Sequence, residues 1–218
     1  MHIGKENMNY SIIMALIQKA DKPSDVFLHN SFVIEIPELY TLQGIPQPAK
    51  YHPEGDAFVH TLQVIDRAKE LGGNDITIFS CLLHDLGKAL TPKEEWPHAY
   101  NHESLGLPIA AKICERLNVP IEHRDFVLNV VAEHGNAHRF LEMRPTTRVK
   151  FLKRIWLCNL YDFTLACKAD SQGRGEENWL REYPQSEAIM DAARRIGKIE
   201  IAGKSHEKWL QEAAKAIS

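Results

Sequence analysis

The stretch Cys81-Leu82-Leu83-His84-Asp85-Leu86-Gly87-Lys88 places an imidazole and a carboxylate side by side at the end of an apolar run. The apolar side chains before that pair recur at helical spacing: Ile76, Ile78, Phe79, Leu82 and Leu83. This spacing predicts a helix that faces a core, with Asn74 or Asp75 as its N-cap and Gly87 as its stop. The histidine and the aspartate are then expected in the last turn of that helix.

His84 and Asp85 both carry metal-ligand side chains. Neighbouring helix positions diverge by about 100°, so the two can reach one ion only where the helix ends and the ion lies off its tip. A lone His-Asp pair also has a simpler explanation, which is a capping pair with a solvated carboxylate. Further ligands are needed before the pair indicates a metal site.

Composition limits the class of protein. The length of 218 residues fits one large helical domain or two small ones, and 44% hydrophobic residues suffice for a core. A net charge of -3 excludes a chain that is basic overall, so nucleic-acid contact would need a local patch. No apolar run approaches the roughly 20 residues of a membrane span, and the amino terminus lacks a signal pattern. Four cysteines stand singly in apolar runs: Cys81, Cys114, Cys158 and Cys167. We expect reduced thiols and a soluble, cytoplasmic protein with no membrane contact.

Two more candidate ligands lie in predicted helices. His60 is at the edge of the apolar stripe of a helix expected to begin at Asp56 and to end at Gly72-Gly73. A hydrogen-bonded core histidine is the simpler explanation for it.

A long helix is predicted from Thr146 to about Asp170, with an inward stripe in steps of three and four: Val149, Leu152, Trp156, Leu160, Phe163, Cys167 and Asp170. A carboxylate thus continues an apolar stripe. Burying it unpaired is costly, so Asp170 needs a cation, a hydrogen-bond network or a helix end open to water. Gly173 and Gly175 are compatible with the last of these.

The remaining histidines gather near predicted helix ends. Loop 89–101, which is too long for a simple connector, holds His98, and a helix is expected over 102–117. Another helix is predicted over 121–134, with His138 just beyond it. We expect His98 and His138 to be loop residues at the mouth of any site that the His-Asp pair forms, with a place in the layer behind its ligands as the alternative.

No internal repeat, Gly-rich phosphate loop or run of alternating strands competes with these helices. The sequence predicts an all-α helical bundle with small helical additions at both ends. Residues 9–20 are predicted as an amphipathic helix and 28–42 as a poorer one. We expect an N-terminal helical extension over residues 1–50, packed on a core domain over residues 51–218 as one compact unit.

The order His60, His84-Asp85, Asp170 resembles the H…HD…D pattern of the HD-domain metal-dependent phosphohydrolases. The resemblance implies an all-α bundle with a metal at its centre. The ligands it implies are His60, His84, Asp85 and Asp170.

Further segments are similar to the carboxy-terminal HD domain of the bacterial CCA-adding enzymes (tRNA nucleotidyltransferases): residues 44–54, 83–92, 95–97, Ala169-Asp170 and Gly173-Arg174. This similarity runs from about residue 25 to the end. It implies phosphohydrolase activity on 2′,3′-cyclic nucleotides, 2′-nucleotides and simple phosphomonoesters, with tRNA as a further candidate partner. The nucleotide-adding head of that family carries an Asp-x-Asp, which this sequence lacks, so we expect no tail addition from it.

Two imidazoles and two carboxylates form a borderline donor set, which suits Mn²⁺, Ni²⁺, Co²⁺, Fe²⁺ or Zn²⁺ and accepts Mg²⁺ more weakly. Such an ion supplies hydroxide near neutral pH. Asp85 would hold the ion next to the phosphate group that reacts. Lys88, one turn beyond it, and Arg174, just past Asp170, are candidates to offset charge on the phosphoryl oxygens. The alternatives are a helix-end cation for Lys88 and a surface residue for Arg174.

One ion is expected, and a second is the alternative. His102 and His134 could bind that second ion with Asp85 as a bridge, as in the two-metal members of the superfamily, or could bond the phosphate. Glu133, beside a candidate ligand, could fix an imidazole tautomer from the outer layer of the site.

Two other functions stay open. Arg148, Lys150, Lys153 and Arg154 form a basic strip, which could make this an RNA-binding module with a structural metal, although a solvated helix face explains the same charges. A 5′-nucleotidase or dNTP triphosphohydrolase on the same scaffold is the third candidate.

Overall fold

The computed structural model describes residues 9–28, 35–199 and 205–218. In these ranges the chain forms α-helices and short 3₁₀ turns, with an isolated β-bridge between Pro46 and Asp56 and no β-strand. The all-α prediction is therefore confirmed. The α-helices of the described ranges are α1 (Tyr10–Lys19), α2 (Pro23–Leu28), α3 (Pro37–Tyr40), α4 (Ala57–Glu70), α5 (Asp75–Leu83), α6 (His102–Arg116), α7 (Ile121–His138), α8 (Pro145–Arg154), α9 (Leu160–Gln172), α10 (Gln185–Gly197) and α11 (His206–Ala216).

Helices α4, α5, α7 and α9 form the centre, and α6 packs on α7. Their buried faces enclose a core that is rich in fully buried aromatic rings: Phe79, Phe140, Phe151 and Phe163. At the amino-terminal side, α1 contacts α5 and α2 contacts α4. At the other end α10 packs on α9 and α11 on α8. The polar site described below lies among the four central helices.

The two helices that lead to the site begin at side-chain caps. Asp56 accepts a hydrogen bond from the backbone N–H of Val59 at 2.8 Å, as expected for the start of α4. Asn74 is the N-cap of α5 and accepts from the N–H of Thr77 at 3.0 Å. These starts agree with the sequence prediction, because short polar side chains satisfy the free N–H groups of a first turn.

The end of α5 differs from the prediction. The helix ends at Leu83, His84 is its C-cap, and Asp85 has already left helical geometry with φ -108° and ψ 5°. The chain continues as a 3₁₀ turn over Leu86–Leu90. The pair therefore does not lie in a last turn stopped by Gly87, and the earlier end lets two neighbouring side chains converge.

Gly87 is instead required by packing. A Cβ at this position would collide with the carbonyl oxygen of His102 and with the backbone of Gly106 in α6. Gly173 has the same function on the opposite side, where a Cβ would lie 2.7 Å from the Cα of Val64 in α4. Two close backbone contacts thus hold α6 against the residues after α5, and the end of α9 against α4.

The predicted single helix from Thr146 to Asp170 is wrong. Residues 155–159 separate α8 from α9, and the side chain of Asn159 caps α9 by accepting from the N–H of Tyr161 at 3.0 Å. The stripe crosses this break only by coincidence of spacing, since Trp156 is 47% exposed. Within α9 the stripe holds, and Phe163, Cys167 and Asp170 are buried.

The end of α7 and the segment 28–42 are two further places where the sequence predicted helix boundaries. Helix α7 continues to His138, four residues beyond its predicted end, and Gly135 lies inside it, facing the side chain of Glu103 in α6. For the predicted helix over 28–42, residues 29–34 lie outside the described residues, α2 ends at Leu28 and α3 begins at Pro37.

Candidate metal centre

Four ionisable side chains meet in the middle of the fold. His60 comes from α4, His84 and Asp85 from the end of α5, and Asp170 from the last turns of α9. Their exposed fractions are 0%, 2%, 2% and 5%. Such a group of buried charges is tolerated only if its members are paired or bind a cation.

The four donor atoms lie close to one another. His60 Nε2 is 3.1 Å from Asp170 Oδ1 and 3.7 Å from Asp85 Oδ2. His84 Nε2 is 3.1 Å from Asp85 Oδ2 and 3.9 Å from Asp170 Oδ1. Bonds of about 2.1 Å to one ion place its ligand atoms roughly 3.0–3.5 Å apart. The spacing is therefore close to that of ligands around a single cation.

The Nδ1 hydrogen bonds of His84 and His60 determine which ring nitrogen faces the cluster. His84 Nδ1 lies 2.7 Å from the carbonyl oxygen of Cys81, and His60 Nδ1 lies 2.8 Å from Glu54 Oε1 and 3.1 Å from the carbonyl oxygen of Gly173. Those oxygens only accept hydrogen bonds, so each Nδ1 carries a proton and donates it. In the neutral ring Nε2 is then a free lone pair, as a metal ligand requires.

A second set of donors adjoins the first through the same aspartate. Asp85 Oδ1 is 3.2 Å from His102 Nε2 and 3.7 Å from His134 Nε2, and the two nitrogens are 3.2 Å apart. Both rings are again oriented through Nδ1: His102 donates to the carbonyl of Ala99 at 2.7 Å, and His134 lies 3.1 Å from the carbonyl of Val130. Asp85 thus has one oxygen in each set, in the arrangement of a bridging carboxylate.

Asp85 Oδ1 also provides a test of whether these residues fit a metal. It is buried and has no properly aligned hydrogen-bond donor among the described residues, although two imidazole nitrogens are nearby. A buried carboxylate oxygen without a donor is costly, and two ring nitrogens with free lone pairs would repel each other. A cation between these three atoms removes both costs, so the donor set fits a divalent metal.

The two carboxylates are held ionised. Burial alone would raise the pKa of Asp85, but His84 and Lys88 outweigh it and hold the pKa well below its usual range. Burial would likewise raise the pKa of Asp170, but His138 and His60 have the larger effect and hold that pKa well below its usual range. Both groups are therefore available as anionic ligands.

The two predicted cationic residues contact these ligands directly. Lys88 Nζ donates to Asp85 Oδ2 and to Gln47 Oε1, each at 2.6 Å. Arg174 Nη2 lies 3.4 Å from Asp170 Oδ1, and its Nε lies 3.3 Å from the Asp170 carbonyl oxygen. Both side chains are largely buried, at 12% and 16% exposed, which disagrees with a surface role for Arg174.

Three other predicted residues lie in different places. His138 is the last residue of α7 rather than a loop residue, and its Nε2 is 2.6 Å from Asp170 Oδ2. Glu133 binds Arg154 and Asn136, so it orients no imidazole of the cluster. His98 lies in the loop before α6 and lines a cavity next to Lys88.

Sequence reasoning missed Glu54 and His52. Glu54 Oε1 lies 2.8 Å from Nδ1 of both His52 and His60, and its side chain is buried. Burial alone would raise its pKa, but the hydrogen bonds from the two histidines lower it to about 2. Both residues lie in a proline-rich segment that forms turns rather than the expected extended chain, and the only available signal was the likeness of residues 44–54 to a known family.

Among the described residues, no helix is both long and apolar enough to cross a membrane.

Comparison with known proteins agrees with the geometry. Residues 57–155 match the family model of the HD domain. Related sequences named multifunctional CCA protein include one from Shewanella frigidimarina, 39% identical over 176 residues, and one from Alkalilimnicola ehrlichii, 43% identical over 164 residues. These alignments cover 78% and 73% of this chain but 42% and 39% of the relatives. The chain therefore spans less than half the length of the relatives it matches.

Proposed function

The chain belongs to the HD-domain family, and from that premise we propose that it is a metal-dependent phosphohydrolase acting on phosphomonoesters, 2′,3′-cyclic nucleotides or 2′-nucleotides. The observation that carries this proposal is the convergence of oriented Nε2 atoms and two ionised carboxylates on a shared centre. Purely structural histidines would not all need their Nδ1 atoms tied to acceptors outside the cluster.

His60, His84, Asp85 and Asp170 would hold one divalent cation, and Asp85, His102 and His134 a second. Nitrogen and carboxylate donors favour Mn²⁺, Ni²⁺, Co²⁺, Fe²⁺ or Zn²⁺ over Mg²⁺. A cation bound there supplies hydroxide near neutral pH and draws charge from the phosphoryl oxygens.

The chain's own groups then bind and orient the ester. The Lys88 ammonium has three N–H donors, of which Asp85 and Gln47 take two, so one is left for a phosphoryl oxygen. That contact would offset negative charge as the ester bond breaks. Arg174 and His138 both bind the Asp170 carboxylate and so keep it in position.

The test is hydrolysis of bis(p-nitrophenyl) phosphate and of 2′,3′-cyclic AMP by the purified protein with each divalent ion. We expect Asp85→Ala to lose about 10³-fold in rate, because the ion contributes several kcal/mol and each 1.36 kcal/mol is about tenfold. Asp125→Ala, which removes an exposed carboxylate on α7, is the matched control and should keep full activity. Equal activity in the two variants would refute the proposal.

The RNA-binding alternative receives less support from the contacts of the basic strip. Arg148 donates to the carbonyl oxygens of Phe140 and Leu141 at 3.0 and 2.7 Å. Arg154 pairs with Glu133, and Lys153 lies over the ring of Trp209. Most cations of the strip thus already have binding partners within the same chain. The CCA-protein relatives still make tRNA a candidate partner, and filter binding to tRNA would test it.

Three further interpretations stay predictions. A substrate panel that includes nucleoside 5′-monophosphates and dNTPs would separate the 5′-nucleotidase and triphosphohydrolase alternatives.

We also propose that residues 1–50 are an extension on a core of residues 51–218. We propose further that the protein acts in the cytoplasm with its four cysteines reduced; all four are free thiols here.

A further inference from the structure

A small cavity adjoins the candidate metal centre. Its volume is about 200 Å³, and its lining includes Gln47, His52, Lys88, His98, Tyr100 and His102. Two of these residues also reach the centre, since Lys88 Nζ lies 2.6 Å and His102 Nε2 lies 3.2 Å from the Asp85 carboxylate. A phosphate next to Lys88 would therefore carry the rest of its molecule into this cavity.

The outer wall of the cavity presents aromatic faces to solvent. The rings of His98 and Tyr100 are stacked, with centroids 5.8 Å apart and planes 20° from parallel. Both residues are exposed, and Tyr100 is 62% exposed. Pro48 and Pro97 add apolar surface without further hydrogen-bond donors. Stacked and solvated rings of this kind offer a face on which another planar ring can lie.

The size of the cavity limits what it can hold. Pockets for whole drug-sized ligands have roughly 300–1,000 Å³. The smaller volume here suits part of a nucleotide, with its base resting against the exposed rings at the rim. Aromatic side chains bind bases through stacking, which accepts any base because every base has a π face.

We propose that this cavity is the nucleoside subsite of the enzyme, in which Tyr100 and His98 stack on the nucleobase while Lys88 binds the phosphate. The proposal rests on the proposed phosphohydrolase function and narrows its substrate class to nucleotides, with little discrimination among bases. Phosphomonoesters that lack a base would be bound through the phosphate alone.

Two substrates with the same sugar phosphate provide the test: adenosine 2′-phosphate, which carries a base at C1′, and ribose 2-phosphate, which carries a hydroxyl there, each assayed by phosphate release. Base stacking on one aromatic residue corresponds to about tenfold or more in affinity. We expect Tyr100→Ala to lose about tenfold in kcat/KM on adenosine 2′-phosphate and to keep the wild-type value on ribose 2-phosphate. Tyr100→Phe should retain the base preference, because the ring is unchanged.

Tyr161→Ala is the matched control, since that tyrosine is 59% exposed in α9 and does not line this cavity. This variant should keep the wild-type kcat/KM on both substrates. Equal losses on both substrates in Tyr100→Ala, or no loss on either, would overturn the subsite and leave the hydrolase function intact.

Direct binding separates the two hypotheses further. Calorimetric titration of the wild-type protein with adenosine 2′-phosphate and with ribose 2-phosphate needs no turnover. If neither compound is hydrolysed but the adenosine compound binds more tightly in a Tyr100-dependent way, the proposed activity fails and the subsite stands. If the two compounds bind equally well, the subsite is wrong whatever the activity.

Discussion

The two ligand sets that share Asp85 are built differently. His60, His84 and Asp170 are nearly inaccessible, and side chains stand behind two of them: Glu54 behind His60, and His138 with Arg174 behind Asp170. The second set contains His102, which opens α6 directly after a loop and is 16% exposed. Its histidines are hydrogen-bonded through Nδ1 to backbone carbonyls, and the Glu103 carboxylate lies farther from His102 Nδ1, at 3.5 Å.

For the two cation positions proposed above, this difference predicts different affinities for metal. Carboxylate partners raise the basicity of an imidazole ligand and fix its orientation more strongly than neutral carbonyls do. Rigid, buried ligands also lose little freedom on binding. We therefore expect the first set to bind a cation tightly and the second to exchange it with solvent.

Removing one ligand from each set tests the comparison most directly. We expect His60→Gln to abolish tight binding, with a larger loss than the roughly 10- to 100-fold caused by removing an outer partner. His102→Gln should keep about one tightly bound ion per chain and lose only a weaker one. Metal analysis after dialysis, together with calorimetric titration with Mn²⁺, measures both. Identical metal content in the two variants would contradict the comparison.

Glu54 is the next point to test, because it is the carboxylate that distinguishes the first set. Glu54→Gln should lower Mn²⁺ affinity roughly 10- to 100-fold, since the amide no longer accepts from His60 as an anion. The measurement is calorimetric titration, which does not depend on catalysis. Glu122→Gln, an exposed glutamate in the first turn of α7, is the control and should bind as wild type does. Unchanged affinity in Glu54→Gln would show that its hydrogen bonds do not tune the ligand.

The smallest expected effect concerns pH and the metal-free fold. The pKa of Glu54 falls from 4.5 to about 2 in the folded chain. A lowered carboxyl pKa contributes stability that is present above pH 4.5 and is lost as the pH falls through about 2. Wild type should therefore exceed Glu54→Gln by about 1–2 kcal/mol in free energy of unfolding at pH 6. The difference should shrink between pH 4.5 and 2 in urea titrations with EDTA. If the difference in free energy of unfolding stays constant over this pH range, the charge of Glu54 does not contribute to stability.

The positions of these residues could be predicted from periodicity, because His60 lies at the edge of an apolar stripe, Asp170 continues one, and the His84-Asp85 pair follows a buried helix with a recognisable N-cap. Their assignment as ligands came from the resemblance to the H…HD…D pattern. Their meeting in space agrees with that reading. Their role as metal ligands stays a proposal until metal is measured.

Other features could not be predicted, for identifiable reasons. The break at residues 155–159 was hidden because an N-cap at Asn159 falls where a 3.6-residue period happens to continue. Glu54 lies in a segment of turns, where periodicity carries no information. His138 was placed beyond the end of a helix predicted over 121–134, because the apolar stripe of that helix stops there while the helix itself continues to His138.

The contact between Gly87 and Gly106 has a consequence for the pair of cation positions. His102 begins the helix that contains Gly106, and Asp85 lies two residues before Gly87, so the contact between these two main-chain segments would help to set the distance between the two proposed cation positions. A methyl group at Gly87 would collide with the His102 carbonyl oxygen and the Gly106 backbone. It would push the two sets apart and would leave each set of side chains chemically complete.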